Sequence, residues 1–134
     1  MKVDGSCHCG NLTFEAVIDP ERVRICHCTD CQTFSTSAFR IASSCAEEDF
    51  RLLSGKPKIY IKTAESGNHR EQVFYSECGT HIYATSVGEG PRKFGIRIAT
   101  LSQRNELTPT RNIWYRSAQP WLKDIADLPN TETQ

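Results

Sequence analysis

The sequence predicts a single-domain, mainly β fold, and three observations carry that prediction. The chain has 134 residues, a length that fits one domain and buries roughly two-thirds of the surface its unfolded form exposes. Apolar residues alternate with period two in several short segments, the spacing at which side chains of an extended strand return to one face. Helical periodicity is weak throughout, so no helical layer is expected.

The elements follow in chain order. Leu12, Phe14, Ala16 and Ile18 alternate along residues 11–18 and mark the first half-buried strand. One short helical turn is expected after Cys28. Strand candidates then run from Ala38 to Ala42, Phe50 to Leu53 and Ile59 to Ile61. Val73 alternates with Tyr75, Ile82 with Ala84, and Phe94 with Ile96 and Ile98. Ile113 to Tyr115 is the last strand candidate, and a second weak helical segment spans Trp121 to Leu128. Gly55-Lys-Pro57, Gly67-Asn68, Gly88-Glu-Gly90-Pro91 and Pro109 separate these segments as turns. The domain is expected to occupy residues 1–128, with a polar, loosely held tail at 129–134 that has no apolar anchor.

Composition excludes several function classes. No apolar run approaches the roughly 18 residues of a membrane span. The opening Met-Lys-Val-Asp-Gly-Ser-Cys lacks the apolar stretch of a secretory signal, which makes the cytoplasm the expected compartment. Sixteen basic residues balance sixteen acidic ones, so no excess of positive charge favours a nucleic acid partner. Seven cysteines is an odd number, and in a reducing compartment cysteines at short spacings are metal ligands or catalytic groups rather than disulfides.

Six of the seven fall into such spacings. In a Cys-x-Cys segment of extended chain the two sulfurs share one face, which pairs Cys7 with Cys9 and Cys26 with Cys28. Cys28-Thr-Asp-Cys31 adds a C-x-x-C, the turn that brings two thiolates onto one tetrahedral ion at about 2.3 Å each. Cys26, Cys28 and Cys31 thus supply three ligands. Spacing leaves open whether that site keeps an exchangeable fourth position or is closed by a distant residue. A redox role for Cys28 and Cys31 is disfavoured, because no βαβ pattern surrounds them. Cys78, followed by Gly79, is the long-range partner for Cys7 and Cys9.

The remaining polar and aromatic residues read as structural. Cys45 has no ligand spacing to any neighbour and is expected to be a core thiol. His8 and His27 lie between paired cysteines and should face away from a shared ion. His69 is expected in a solvated loop, and His81 in a strand with either orientation. Trp114, Tyr115 and Trp121 are expected in the core. Lys56 and Lys58, with Arg92, Lys93 and Arg97, form local basic groups that could attract the carboxylates of an acidic ligand, but solvated charges on strand edges are the expected reading.

Gly5-Ser-Cys-His-Cys-Gly10, Cys26-His-Cys-Thr-Asp-Cys31, Phe74-Tyr-Ser-Glu-Cys-Gly79, Trp114 and Pro120-Trp121 together resemble the glutathione-dependent formaldehyde-activating enzyme family, which also includes centromere protein V. The resemblance runs from about Gly5 to Trp121 and rests on the ordered set of spacings. It implies a single-domain β-tent zinc fold of short antiparallel strands, with one structural site and one site holding an exchangeable ligand. By position it makes Cys26, Cys28 and Cys31 a three-thiolate catalytic-type zinc site whose fourth place takes water or a substrate thiol. It makes Cys7, Cys9 and Cys78 three of four structural ligands, the fourth family cysteine falling at Tyr75. A phenol with pKa about 10 is a poor zinc ligand at neutral pH, so this site is left to recruit water, Ser76 or another oxygen, or to lose its ion, and is expected to bind zinc more weakly than four thiolates would.

The implied activity is that of a zinc-dependent carbon–sulfur lyase acting on glutathione or a related thiol and a small aldehyde, with S-hydroxymethylglutathione as the family product. A zinc-stabilised binding module with two structural sites is the alternative. Nucleic-acid binding by analogy with centromere protein V fits poorly with the balanced charge. The residues assign no general acid or base, and they leave the oligomeric state open.

Overall fold

The chain is seen in a computed structural model that describes residues 1–134. Ten strands form two sheets. β1 (Lys2–Ser6), β2 (Thr13–Val17) and β5 (Phe50–Ser54) make a three-stranded sheet in the order β1-β2-β5. The larger sheet has seven strands. They are β3 (Arg24–Cys26), β4 (Arg40–Ala46), β6 (Lys58–Thr63), β7 (His69–Phe74), β8 (His81–Ser86), β9 (Lys93–Arg97) and β10 (Arg111–Ile113), in the order β10-β3-β4-β9-β8-β7-β6. Every pairing is antiparallel except β10 with β3, which is parallel. One short α-helix, α1 (Thr29–Ser35), follows β3. No helix is long and apolar enough to cross a membrane.

Alternation explains the core. Leu12, Phe14, Ala16 and Ile18 are all buried, as the period-two reading of residues 11–18 requires. They meet Cys45, Phe94 and Ile96 of the larger sheet in one apolar cluster. Phe50 lies between the layers, 5.2 Å from the ring of Phe14 and 5.4 Å from that of Phe94, and Tyr83 stacks on Phe94 at 4.2 Å. Burying a side chain such as Phe14 contributes about 2–3 kcal/mol, so this aromatic column is the main tie between the sheets.

Several sequence expectations need correction, among them the last strand candidate, Ile113 to Tyr115, of which only Ile113 lies in a strand, β10. β1 and β3 form strands although no alternation marked them. The candidate Ala38 to Ala42 is displaced, because the end of α1 holds the chain through Ser37 N–H on Gln32 and the Ser35 hydroxyl on Phe39; β4 begins at Arg40 and runs to Ala46. The late aromatics are not core: Trp114 is 46% and Trp121 50% exposed, and Tyr115 is exposed too. Trp114 takes φ 53°, which ends β10 and turns the chain out of the sheet. Arg92 and Arg97 are not solvated edge charges. Arg92 is held by Glu47 at 2.7 Å and Glu71 at 3.3 Å, and Arg97 is 8% exposed.

Candidate metal centre and the adjoining cleft

Two groups of three cysteines assemble, and they are the groups the spacings pair. In each, the three sulfurs lie within 4.8 Å of one another, with no fourth histidine, cysteine or carboxylate at that distance. Tetrahedral coordination at about 2.3 Å per sulfur separates ligand sulfurs by roughly 3.8 Å, so both groups fit a zinc-sized ion. None of the seven cysteines is in a disulfide.

The first group joins the two sheets. Cys7 and Cys9 sit in the turn after β1, with their sulfurs 3.5 Å apart, and the Leu12 amide donates to Cys7 Sγ at 3.3 Å. Cys78 lies in the hairpin between β7 and β8, where Gly79 at φ 74° lets its amide turn back onto the Tyr75 carbonyl at 2.7 Å. Tyr75 packs its ring against the core, and burial, followed by the nearby cysteines, raises its phenol above the ordinary range. It is not a ligand in waiting. Ser76 is exposed. The oxygen beside the group is Thr80 Oγ1, which lies 3.2 Å from Cys78 Sγ and accepts the His8 amide at 3.0 Å. The Thr80 hydroxyl, then the Cys9 amide, holds the Cys78 thiol down at about 6.

The second group is local. Cys26 ends β3, Cys28 caps α1, and Cys31 lies in the first turn, where its amide donates to Cys28 Sγ at 3.3 Å. Extended φ and ψ of −61° and 153° at Cys28 turn its sulfur back onto the helix start. Arg40 faces Cys26 across the β3–β4 pairing, and its Nη2 donates to Cys31 Sγ at 2.9 Å. Hydrogen bonding to Cys26, then the Arg40 guanidinium, holds the Cys31 thiol down at about 5. The same contact, with burial, pushes Cys26 up.

The histidines stay outside both groups. His27 is buried and turned away from the sulfurs, as the strand geometry expects; its Nε2 pairs with Asn112 Oδ1 at 2.8 Å and ties β10 to β3. His8 and His69 are exposed, although His69 opens β7 and is not in a loop. His81 lies against the rings of Phe34 and Phe74, and burial, then Arg97 and Arg40, depresses its basicity. Cys45 is a buried core thiol, pushed up by burial.

An open cleft of about 1170 Å³ is lined by Cys7, His8 and Thr80 and by Phe34 and Arg40; Cys7 is its one cysteine, and the second group meets it through Arg40, which contacts Cys31. Arg97 and Arg104 also line it, and no Asp or Glu does. Sequence reasoning missed Arg40 and Thr80. A lone arginine in a strand has no spacing to flag it, and Thr80 is carried to Cys78 by the turn at Gly79 rather than by any strand spacing.

A family model described as glutathione-dependent formaldehyde-activating enzyme matches residues 2–117. An uncharacterized lyase of Schizosaccharomyces pombe is 28% identical over 89 residues, which are 66% of this chain and 61% of that protein. The match thus spans less than two-thirds of that relative. A crystal structure of a Rhodobacter sphaeroides protein has a TM-score of 0.63 at 20% identity, covering 82% of this chain and 99% of that one, a likeness of fold alone.

Proposed function

This chain belongs to the glutathione-dependent formaldehyde-activating enzyme family, and from that premise we propose that it is a zinc-dependent lyase acting on glutathione or a related thiol and a small aldehyde. The observation that carries the proposal is the Cys26, Cys28 and Cys31 group. It offers three sulfurs, no fourth protein donor among them, and a side chain, Arg40, that borders an open cleft. Three protein ligands with one free place is the donor set of a catalytic rather than a structural zinc. Bound there, zinc supplies a Lewis acid that favours a thiol in its thiolate form and fixes its position.

The chain's own residues do the rest. Arg40 places a guanidinium against Cys31 Sγ, which offsets the negative charge that accumulates as thiolates gather. The Cys28 cap and the Gln32 side chain, which donates to the His27 and Ser117 carbonyls at 2.7 and 2.9 Å, fix the start of α1 over β3. In the reaction the thiol loses its proton, the sulfur forms a bond to the carbonyl carbon, and the carbonyl oxygen takes up a proton. The carbonyl π bond gives its electrons to that oxygen, the product is a hemithioacetal, and the reverse reaction breaks the same carbon–sulfur bond. The Cys7, Cys9 and Cys78 group would hold a structural metal, with Thr80 Oγ1 the oxygen beside its three sulfurs.

X-ray absorption at the zinc edge tests the reading. The sulfur count per zinc is expected to rise when glutathione is added to the purified, metal-loaded protein. An unchanged shell at saturating glutathione would overturn the enzyme reading in favour of a zinc-stabilised binding module.

A further inference from the structure

We propose that Arg97, set by Gln72 and flanked by Arg40, is a carboxylate-binding subsite that anchors the acidic end of the thiol substrate beside the Cys26, Cys28 and Cys31 group. This rests on the thiol reading above and deepens it.

The sheet register brings these residues together. Arg40 pairs with Cys26, Ala42 pairs with Arg97, and Gln72 reaches Gly95 through Ala84. Alternation along β4 and β9 therefore sets Cys26, Arg40, Arg97 and Gln72 on one face. The hydrogen bonds agree: Gln72 Oε1 accepts from Arg97 Nη2 at 3.2 Å and from Arg40 Nη1 at 3.5 Å. Cys31, Arg40, Gln72 and Arg97 form a chain of three short contacts, so the far guanidinium lies within one small molecule's length of the sulfurs.

Arg97 is 8% exposed, its Nε has no hydrogen-bond partner, and it lines the cleft. Burying a cation without a counter-charge is costly. Arg92, the other arginine drawn in from the strand edge, has two carboxylates; Arg97 has none, and a second guanidinium stands next to it. The cleft adds Arg104 and no acidic residue. A planar guanidinium with free N–H groups in a positive cleft is built to take a carboxylate through paired hydrogen bonds, and the field of the three arginines draws an anionic thiol toward the sulfurs.

The test uses S-methylglutathione, whose sulfur is blocked, against its dimethyl ester, with binding to the metal-loaded protein measured by calorimetry. The acid is expected to bind at least about tenfold more tightly than the ester, as charge-assisted bonds require. In Arg97→Met that preference should shrink to within about twofold, and Arg97→Lys should keep part of it. Equal affinity of acid and ester for the unaltered protein would overturn the proposal, and so would no detectable binding of the acid. That comparison needs no variant, so it stands even if Arg97→Met does not fold. A folded Arg97→Met with its preference intact would also overturn it, as would acetate competing as well as the peptide, which would mark a free-anion site. Because the probe carries no thiol, failure here leaves the sulfur-count experiment to decide the enzyme reading separately.

Discussion

Tyr75 decides the character of the first cysteine group. Its ring packs against the core and burial raises its phenol above the ordinary range, so the group has three sulfurs and the neighbouring Thr80 hydroxyl. An uncharged hydroxyl is a weaker partner for zinc than a thiolate. The variant Tyr75→Cys is therefore expected to bind zinc more tightly, by at least about tenfold or ~1.4 kcal/mol, in competition with a chromophoric chelator. Equal affinity in the two proteins would show that a thiolate at this position is not what limits the site. The cysteines were legible in the sequence because ligand spacing is a local signature. Arg40, Gln72 and Arg97 were not, since they are drawn from β4, β7 and β9 and converge only through strand register.

Among the elements, legibility followed how many side chains marked each face. The run from Leu12 to Ile18 declares four inward residues, and all four are buried. β1 declares almost nothing, because its inward positions are Val3 and Gly5 and glycine has no side chain to carry the pattern. β3, at three residues, is too short to show a period. Yet Gly5 is where β1 is most constrained. It forms an isolated bridge to Leu101, and an added Cβ would lie 2.4 Å from Phe14 Cζ and 2.9 Å from the Thr100 carbonyl oxygen. The ring sits in the packed column between the sheets and the carbonyl is backbone, so neither yields easily. Gly5→Ala is expected to cost about 1–3 kcal/mol, read as a fall in melting temperature on the order of 5–10 °C. A melting temperature within a degree of the parent would show that β1 shifts freely over the column.

At the scale of the whole molecule the two cysteine groups have different mechanical roles. Cys26, Cys28 and Cys31 close a loop of six residues within one sheet and its helix. Cys7 belongs to the three-stranded sheet and Cys78 to the seven-stranded one, 71 positions later. A metal held there ties the layers at their rim, where His8 N–H on Thr80 Oγ1 already spans the gap. Closing a loop restricts the unfolded chain more as the loop lengthens, by roughly 4 kcal/mol for some 70 residues against roughly 2 for six. With metal in both groups, the site with the poorer donor set is thus the one on which stability is expected to depend more. Chelator added to the metal-loaded protein is expected to lower the melting temperature, and Cys78→Ser should remove more of that chelator-dependent drop than Cys31→Ser does. Comparing the drop within each variant, rather than the melting temperatures themselves, cancels what each substitution costs in packing. If Cys31→Ser abolished the drop and Cys78→Ser left it intact, the layers would be held by the aromatic column of Phe14, Phe50, Phe94 and Tyr83 without help from the first group.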